Sequence, residues 1–411
     1  MEKYKLIVIG GGAAGLMAAI SASEEWPGNV AILEGNSRCG TKILMSGGSR
    51  CNVTNESVRP ENFFGGSRNF IKNVLREFSD RDALEFFRRL GVQLKLEPGG
   101  KYFPQDDSAA SILNALQKKA AELRVKIHLS AKVESIEFNG TAFMLATRNQ
   151  RFEAERIILT TGGRSYPTTG SDGTGYGLAK KLGHTVKPLF PALTPILLDD
   201  PKLTGIPGIT IPARLTLFLD EKKLIEHENS LLITHFGISG PAALNISREV
   251  ARLQGGNLKL KLNFIPLYSE ESLRSLLKNQ IRLNSEKSVL NFFREMLPVN
   301  LCGVLFGLAE VSPEKKFYSL SKEETGSLVR VFTAYELKFT GLKGFSQAEV
   351  TAGGVPLEEV RYQTMESRIQ KGLYLAGEIL DADGFIGGYN FQWAWSTGFI
   401  AGRAAAQIEY K

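Results

Sequence analysis

Gly10, Gly12 and Gly15, with Glu34 nineteen residues further on, are the residues whose types and spacing speak most directly of chemistry. They meet the pattern G-x-G-x-x-G. Gly10 permits a tight turn, Gly12 lets backbone approach a pyrophosphate, and Gly15 lets a helix pack close against a strand. Ala13 and Ala14 then fall at a helix N-terminus, where unpaired N–H groups and the helix dipole favour phosphate oxygens. Glu34 is placed to accept hydrogen bonds from an adenosine ribose. An acid there, rather than an arginine, suits a free 2′-hydroxyl, so FAD or NAD is expected before NADP.

The stretches that follow favour FAD. CGTKILMSGGSRCNVTN (residues 39–55) is rich in glycine, serine and asparagine where an NAD dehydrogenase would continue with another amphipathic helix. Such a stretch can run along an extended cofactor, offering backbone N–H groups and small side chains. RIILTTGG (residues 156–163) ends a buried strand in Thr-Gly-Gly, and GLYLAGEILDADGFIGGYN (residues 372–390) leads through glycines into a last helix. A helix starting near Gly388 would aim its positive end at a flavin pyrimidine and stabilise negative charge on the reduced ring. Glu378 and Asp381 are candidates for the ribitol or pyrophosphate region, and Tyr389 and Asn390 for the isoalloxazine.

Other reactive residue types are sparse. His235, in the turn THFGISGP, is either a general acid or base near the flavin or a turn histidine bonded to backbone. Cys51 follows Arg50, which could activate a thiolate, but a lone cysteine is more often a buried small hydrophobe. Asp381 and Asp383 lack the third acid and distant glutamate of a calcium loop, so no metal is expected. None of the four histidines lies in residues 39–55, so flavin should be held noncovalently. A second G-x-G-x-x-G is not apparent. NAD(P)H is therefore expected, if at all, as a transient electron donor.

These stretches together resemble the bacterial three-domain flavoproteins of the BaiN-like, aminoacetone-oxidase-like family, and more distantly the fumarate reductase flavoprotein superfamily. The resemblance is carried by KILMSGGSRCNVTN (residues 42–55), THFGISGP (234–241), AEVTAGGV (348–355) and GEILDADGFIGGYN (377–390), with GSDGTGYGLAKKLGH (170–184) between. It implies FAD contacts from Lys42, Ser46, Gly47 and Asn52, then Val133, Thr161 and Gly162. Near the end it implies Gly377, Glu378, Asp381, Gly387, Gly388, Asn390 and Phe391. His235 and Tyr389 are its catalytic candidates. Two departures stand out: Ser49 where the family usually has glycine, and Lys101 where it usually has arginine.

These residues must be held by strands and helices of matching pattern. Lys5 to Ile9 and Val30 to Leu33 read as buried parallel strands. Alternating apolar residues at Ala213, Leu215, Leu217 and Leu219, and at Leu258, Leu260, Leu262 and Phe264, predict half-buried antiparallel strands. Between residues 269 and 331 the period becomes helical. Ser269 is a cap, Ser285 and Pro298 bracket a second helix, and Ser321 with Glu324 forms a capping box.

The expected fold class is α/β, a Rossmann-type FAD-binding domain interrupted by a β-rich insert and a small helical unit. The expected boundaries are 1–190 and 345–411 for the FAD domain. The β-rich, substrate-side insert takes 191–266 and 333–344, and the helical unit takes 267–332. With 411 residues, 43% hydrophobic and 23% charged, the chain can bury cores without staples, which excludes disorder and coiled coil as its main state. Three cysteines, none in a C-x-x-C pair, indicate a reducing, cytoplasmic setting. Residues 6–23 are uncharged and mimic a signal peptide, but their glycines interrupt it, and no membrane segment is expected.

The functional expectation is an FAD-dependent oxidoreductase moving a hydride between a small organic substrate and flavin N5. The resemblance allows amine oxidation or reduction of an activated carbon–carbon double bond. The alternative is a flavin-bearing RNA- or partner-binding protein using a basic insert, with Lys259 and Lys261 on one strand face. The net charge of +7 is diffuse, so a small molecule rather than nucleic acid is the expected partner. Oligomeric state is not legible.

Overall fold

The computed structural model describes residues 1–253, 255–283 and 286–407. They form two compact units, one from 1–191 with the segment from 349 onward, the other from 192–348. Ser285, expected to bracket a helix, lies outside the described residues.

In the first unit a parallel sheet carries the glycine turn. The strand Glu2–Ile9 lies between Val30–Leu33 and Arg151–Leu159, parallel to both, and Lys126–His128 extends the sheet beyond Val30–Leu33. Leu6, Ile7, Val8 and Val30 to Ile32 are fully buried, as a strand covered on both faces requires. Arg151–Leu159 changes partners along its length. Its first half pairs antiparallel with Phe143–Thr147, and its last three residues pair parallel with Leu373–Leu375, which brings the C-terminal segment into the sheet.

The first helix, Ala13–Ser23, is almost wholly buried beneath the last, Tyr389–Ala406. Small residues allow this. A Cβ at Gly398 would stand 2.5 Å from the Ala14 carbonyl oxygen, and one at Gly402 only 2.2 Å from that of Ala18. The uncharged run of residues 6–23 is thus a core strand and helix. Among the described residues no helix is long and apolar enough to cross a membrane.

The second unit is built on an antiparallel sheet. Its spatial order is Tyr335–Leu337, Leu258–Asn263, Thr210–Leu219, Lys222–Thr234, Gly237–Ser239, Ile196–Leu198 and Phe339–Leu342. Ile211, Ala213, Leu215 and Leu217 are buried, alternating with more exposed residues. The helices Glu270–Arg282, Val289–Arg294, Val299–Ala309 and Lys322–Thr333 join the same hydrophobic core, where Phe293 and Phe332 stack at 3.9 Å. Ser269 accepts from Ser272 N–H and Ser321 from Glu324 N–H, each tying off a helix start.

Candidate functional site

The turn after the first strand is shaped by close backbone approach. Gly10 has φ +105°, and a Cβ there would lie 2.6 Å from the Thr160 carbonyl oxygen. A Cβ on Gly15 would lie 1.9 Å from the Gly10 carbonyl oxygen. Gly12 differs: an added Cβ would meet no atom within 4 Å. Two glycines therefore serve packing, and the third leaves room for a group to reach the backbone. The first helix begins immediately after Gly12, so Ala13, Ala14 and Gly15 carry the N–H groups that a helix start leaves unpaired.

Glu34 stands beside this turn. One carboxylate oxygen accepts from Gly11 N–H at 2.7 Å and the other from Asn36 N–H at 2.8 Å. Burial pushes its pKa up and these N–H bonds oppose the shift. Each oxygen keeps a lone pair for a further donor. Ala131 N–H bonds the Glu34 carbonyl at 2.8 Å, which brings the start of the strand Val133–Phe138 to the same region.

The stretch from Thr41 holds a short helix. Thr41–Ser49 starts as a helix and breaks at Ser46, where ψ reaches 149°. Gly47, Gly48 and Ser49 then follow with φ of 57°, 68° and 67°. Ser49 thus occupies a left-handed conformation that glycine adopts at lower cost. Lys42, Leu44 and Met45 are good helix formers, and the glycines end the helix they start.

The following residues are laced to the last helix. Asn55 donates to the Gly387 carbonyl at 3.0 Å, Thr54 to Gln392 Oε1 at 2.7 Å, and Trp395 Nε1 to the Val53 carbonyl at 2.9 Å. Trp393 and Trp395 are fully buried. Gly388, at φ +96°, precedes the helix start. Asn390 is spent on backbone, accepting from Gly384 N–H at 2.8 Å and donating to its carbonyl at 3.0 Å. Tyr389 meets Phe63 edge-on, and Phe391 stacks on Trp395.

A polar knot joins four of the glycine-rich stretches. Lys42 Nζ donates to Glu378 Oε2 and to Ser165 Oγ, each at 2.6 Å. Ser165 Oγ donates to Glu378 Oε1 at 2.6 Å, and Thr351 N–H donates to the same oxygen at 2.9 Å. Lys42 and Glu378 therefore face each other as an ion pair that ties these segments together. Asp381 likewise pairs with Lys187, at 2.8 Å. Spacing alone could not find Ser165 or Thr351, because their partners are distant in sequence.

Several oxygens near this framework have no partner. Asn52 Oδ1 and Thr161 Oγ1 are buried without a hydrogen bond, an expensive state in a dry interior. Gly162, at φ +71°, follows Thr161. An adenine dinucleotide fits this set: a helix start behind an unobstructed Gly12, an acid at the next strand end, and unspent acceptors nearby. The surface groove of about 470 Å³ lined by Leu90, Gln93, Gln105 and Ser111 contains none of these residues.

His235 belongs to the second unit, exposed in the hairpin turn before Gly237–Ser239. Its ring lies edge-on to Phe236 at 4.9 Å. Cys51 is fully buried, and burial pushes its thiol up to about 12, far from a thiolate nucleophile. Among the described residues no group of three or more histidine, cysteine or acidic side chains is arranged to hold a metal.

The pattern described as HI0933-like protein Rossmann domain matches residues 4–404. The chain belongs to this family. Among HI0933-like relatives, a Clostridium scindens protein named 3-dehydro-bile acid delta(4,6)-reductase is 36% identical over 97% of this chain and 98% of its own length. An Escherichia coli protein named ribosomal RNA dihydrouridine synthase is 33% identical over 97% of this chain and 96% of its own. The fold of this HI0933-like chain is also similar to a Rhodococcus jostii 3-ketosteroid-delta4-(5alpha)-dehydrogenase. That match has a TM-score of 0.55 and 16% identity, and covers 99% and 97% of the two chains. The chain is an FAD-dependent oxidoreductase.

Proposed function

We propose that this protein reduces a carbon–carbon double bond conjugated to a carbonyl in a ring substrate. The observation that carries the reading is the pair of full-length relatives, whose names describe one chemistry on two molecules. A delta(4,6)-reductase acting on a 3-oxo steroid saturates double bonds conjugated to that carbonyl. A dihydrouridine synthase saturates a uracil double bond that is likewise conjugated. In both, hydride adds to the β-carbon and a proton to the α-carbon. The relatives thus support reduction over amine oxidation.

Bound FAD supplies the hydride at N5. The chain's own residues hold and tune it: Gly12, Ala13 and Ala14 at the pyrophosphate, and Glu34 at the ribose with Val133 nearby. Thr161, Gly162, Ser46, Gly47 and Asn52 lie along its length, and Gly387, Gly388 and Phe391 at the start of the last helix. Lys42, Glu378 and Asp381, and with them Gly377 and Asn390, act by fixing the segments that make these contacts. Tyr389 and His235 stay as candidates for contact with substrate. A nicotinamide is the proposed transient donor.

RNA as substrate is the second reading, favoured by the Escherichia coli relative's name. The strand face with Lys259 and Lys261 is not its natural seat: Lys259 pairs with Glu221, and Lys261 lies over the Phe218 ring. Anaerobic stopped flow of the reduced protein distinguishes the two. Reoxidation by a 3-oxo-Δ4 steroid and not by uridine-containing RNA supports the small-molecule substrate, and the converse supports RNA. Reoxidation by neither sinks the proposal.

A further inference from the structure

We infer that Ser171 is a further cofactor-binding residue, whose hydroxyl hydrogen-bonds the adenosine half of FAD. The inference rests on the reading that places the FAD ribose at Glu34. Ser171 is only 7% exposed, and its side-chain oxygen is buried with no hydrogen-bond partner among the described residues. That is an expensive state for a hydroxyl in a dry interior. Native interiors leave few such groups unpaired, and those few call for a water or a ligand.

Contacts on several sides put this hydroxyl beside the cofactor stretches. A Cβ on Gly162 would stand 2.7 Å from Ser171 Oγ, and one on Gly10 would stand 3.2 Å from the Thr161 Cα, so Thr161 and Gly162 link Ser171 to the glycine turn. Thr161 Oγ1, also buried and unpartnered, would lie 1.8 Å from a Cβ on Gly175, in the helix Thr174–Lys181 that follows Ser171. The turn around Ser171 is tied to the ribose end. Asn36, whose N–H holds the Glu34 carboxylate, donates from its side chain to the Thr169 carbonyl at 2.8 Å. Lys132 follows Ala131, whose N–H bonds the Glu34 carbonyl, and pairs with Asp172 at 2.5 Å. Asp172 in turn accepts from Thr174 N–H at 3.0 Å and ties off the helix start. Asn36 and Lys132 thus hold the chain on both sides of Ser171, at the end of the site where Glu34 stands.

A serine hydroxyl both donates and accepts, so it suits the ribose hydroxyls, adenine nitrogens and phosphate oxygens of that half alike. Because the turn is clamped before the ligand arrives, little ordering is left for binding to supply. FAD and ADP carry the adenosine half and FMN lacks it, so the hydroxyl favours the dinucleotide over the mononucleotide. It lies at the adenosine end and takes no part in hydride transfer.

Ser171→Ala in the full-length protein tests this, with FAD and ADP titrated into the flavin-free form and melting followed without ligand. The variant should bind both about 3- to 10-fold more weakly, the range for one neutral hydrogen bond, and keep the wild-type flavin absorption spectrum. Its flavin-free melting temperature should equal or exceed that of wild type, because an unsatisfied buried hydroxyl has been removed. Wild-type affinity for FAD and ADP overturns the role of Ser171, and a lowered melting temperature alongside it would mark a hydroxyl bonded to buried water instead. Weaker FAD binding with unchanged ADP binding also overturns it. Glu34→Ala, measured in the same way, separates the two readings. If it weakens both ligands while Ser171→Ala weakens neither, the ribose placement stands and only Ser171 falls; if neither variant weakens either ligand, both fall.

Discussion

At the scale of single residues, the chemistry is set by which polar groups are spent and which are free. Glu34 has both oxygens on backbone N–H groups and still has lone pairs for a ribose. Glu34→Ala should weaken FAD binding roughly 10- to 100-fold, the range for a hydrogen bond to a charged group; fluorescence titration checks it, and unchanged affinity would remove the ribose assignment. The pH dependence has a definite sign. Because burial raises this carboxyl, its contribution to folding stability is greatest below about pH 4.5 and declines as pH rises through the higher folded value. In the proposed ribose contact FAD affinity should run the other way, since protonation would remove the acceptor that the ribose hydroxyls need. A different residue group shows why geometry alone does not make a site. His184 lies 2.7 Å from Glu359 and 2.8 Å from Ser367, the spacing of a hydrolase triad. Yet Ser367 is buried, and its oxygen already accepts from Ile369 and Gln370 N–H, so the group serves as a clamp.

At the scale of elements, glycines at one motif divide between packing and binding. Gly15→Ala places a Cβ on the Gly10 carbonyl and should cost about 1–3 kcal/mol or more of stability, with a lower melting temperature. Gly12→Ala meets nothing in the protein and should leave melting of the flavin-free protein near wild type while sharply weakening FAD binding. Equal effects of the two on both measurements would contradict the division of roles. Much at this scale was legible beforehand. The buried strands, the glycine turn, the alternating strands about Leu215 and Leu260, and the caps at Ser269 and Ser321 follow from local pattern, because each is decided by residues close in sequence. The break at Ser46 was not, because the helix before it is too short for periodicity to register. Nor was the knot of Lys42, Ser165, Thr351 and Glu378, whose members meet only through the sheet.

At the scale of the whole molecule, the two units have separate hydrophobic cores, one around Ile7, Leu16 and Trp393, the other around Leu215, Phe293 and Phe332. Calorimetry should therefore resolve two transitions. FAD at a hundredfold excess over its Kd should stabilise one of them by about 2.7 kcal/mol and leave the other in place. A single transition that moves as a whole would show that the cores unfold together. Composition foretold a chain able to fold without staples, and motif spacing foretold the cofactor, but neither could choose a substrate, since that depends on surfaces that spacing does not encode. The proposed reading, drawn from the relatives' names, is one bond type. The most direct test is the mass of the product formed when the reduced protein meets a 3-oxo-Δ4 steroid or a uridine-containing RNA without oxygen. A gain of two hydrogens across the conjugated double bond is the expected result. Unchanged mass with either substrate, alongside loss of two hydrogens from an amine by the oxidised protein, would contradict it.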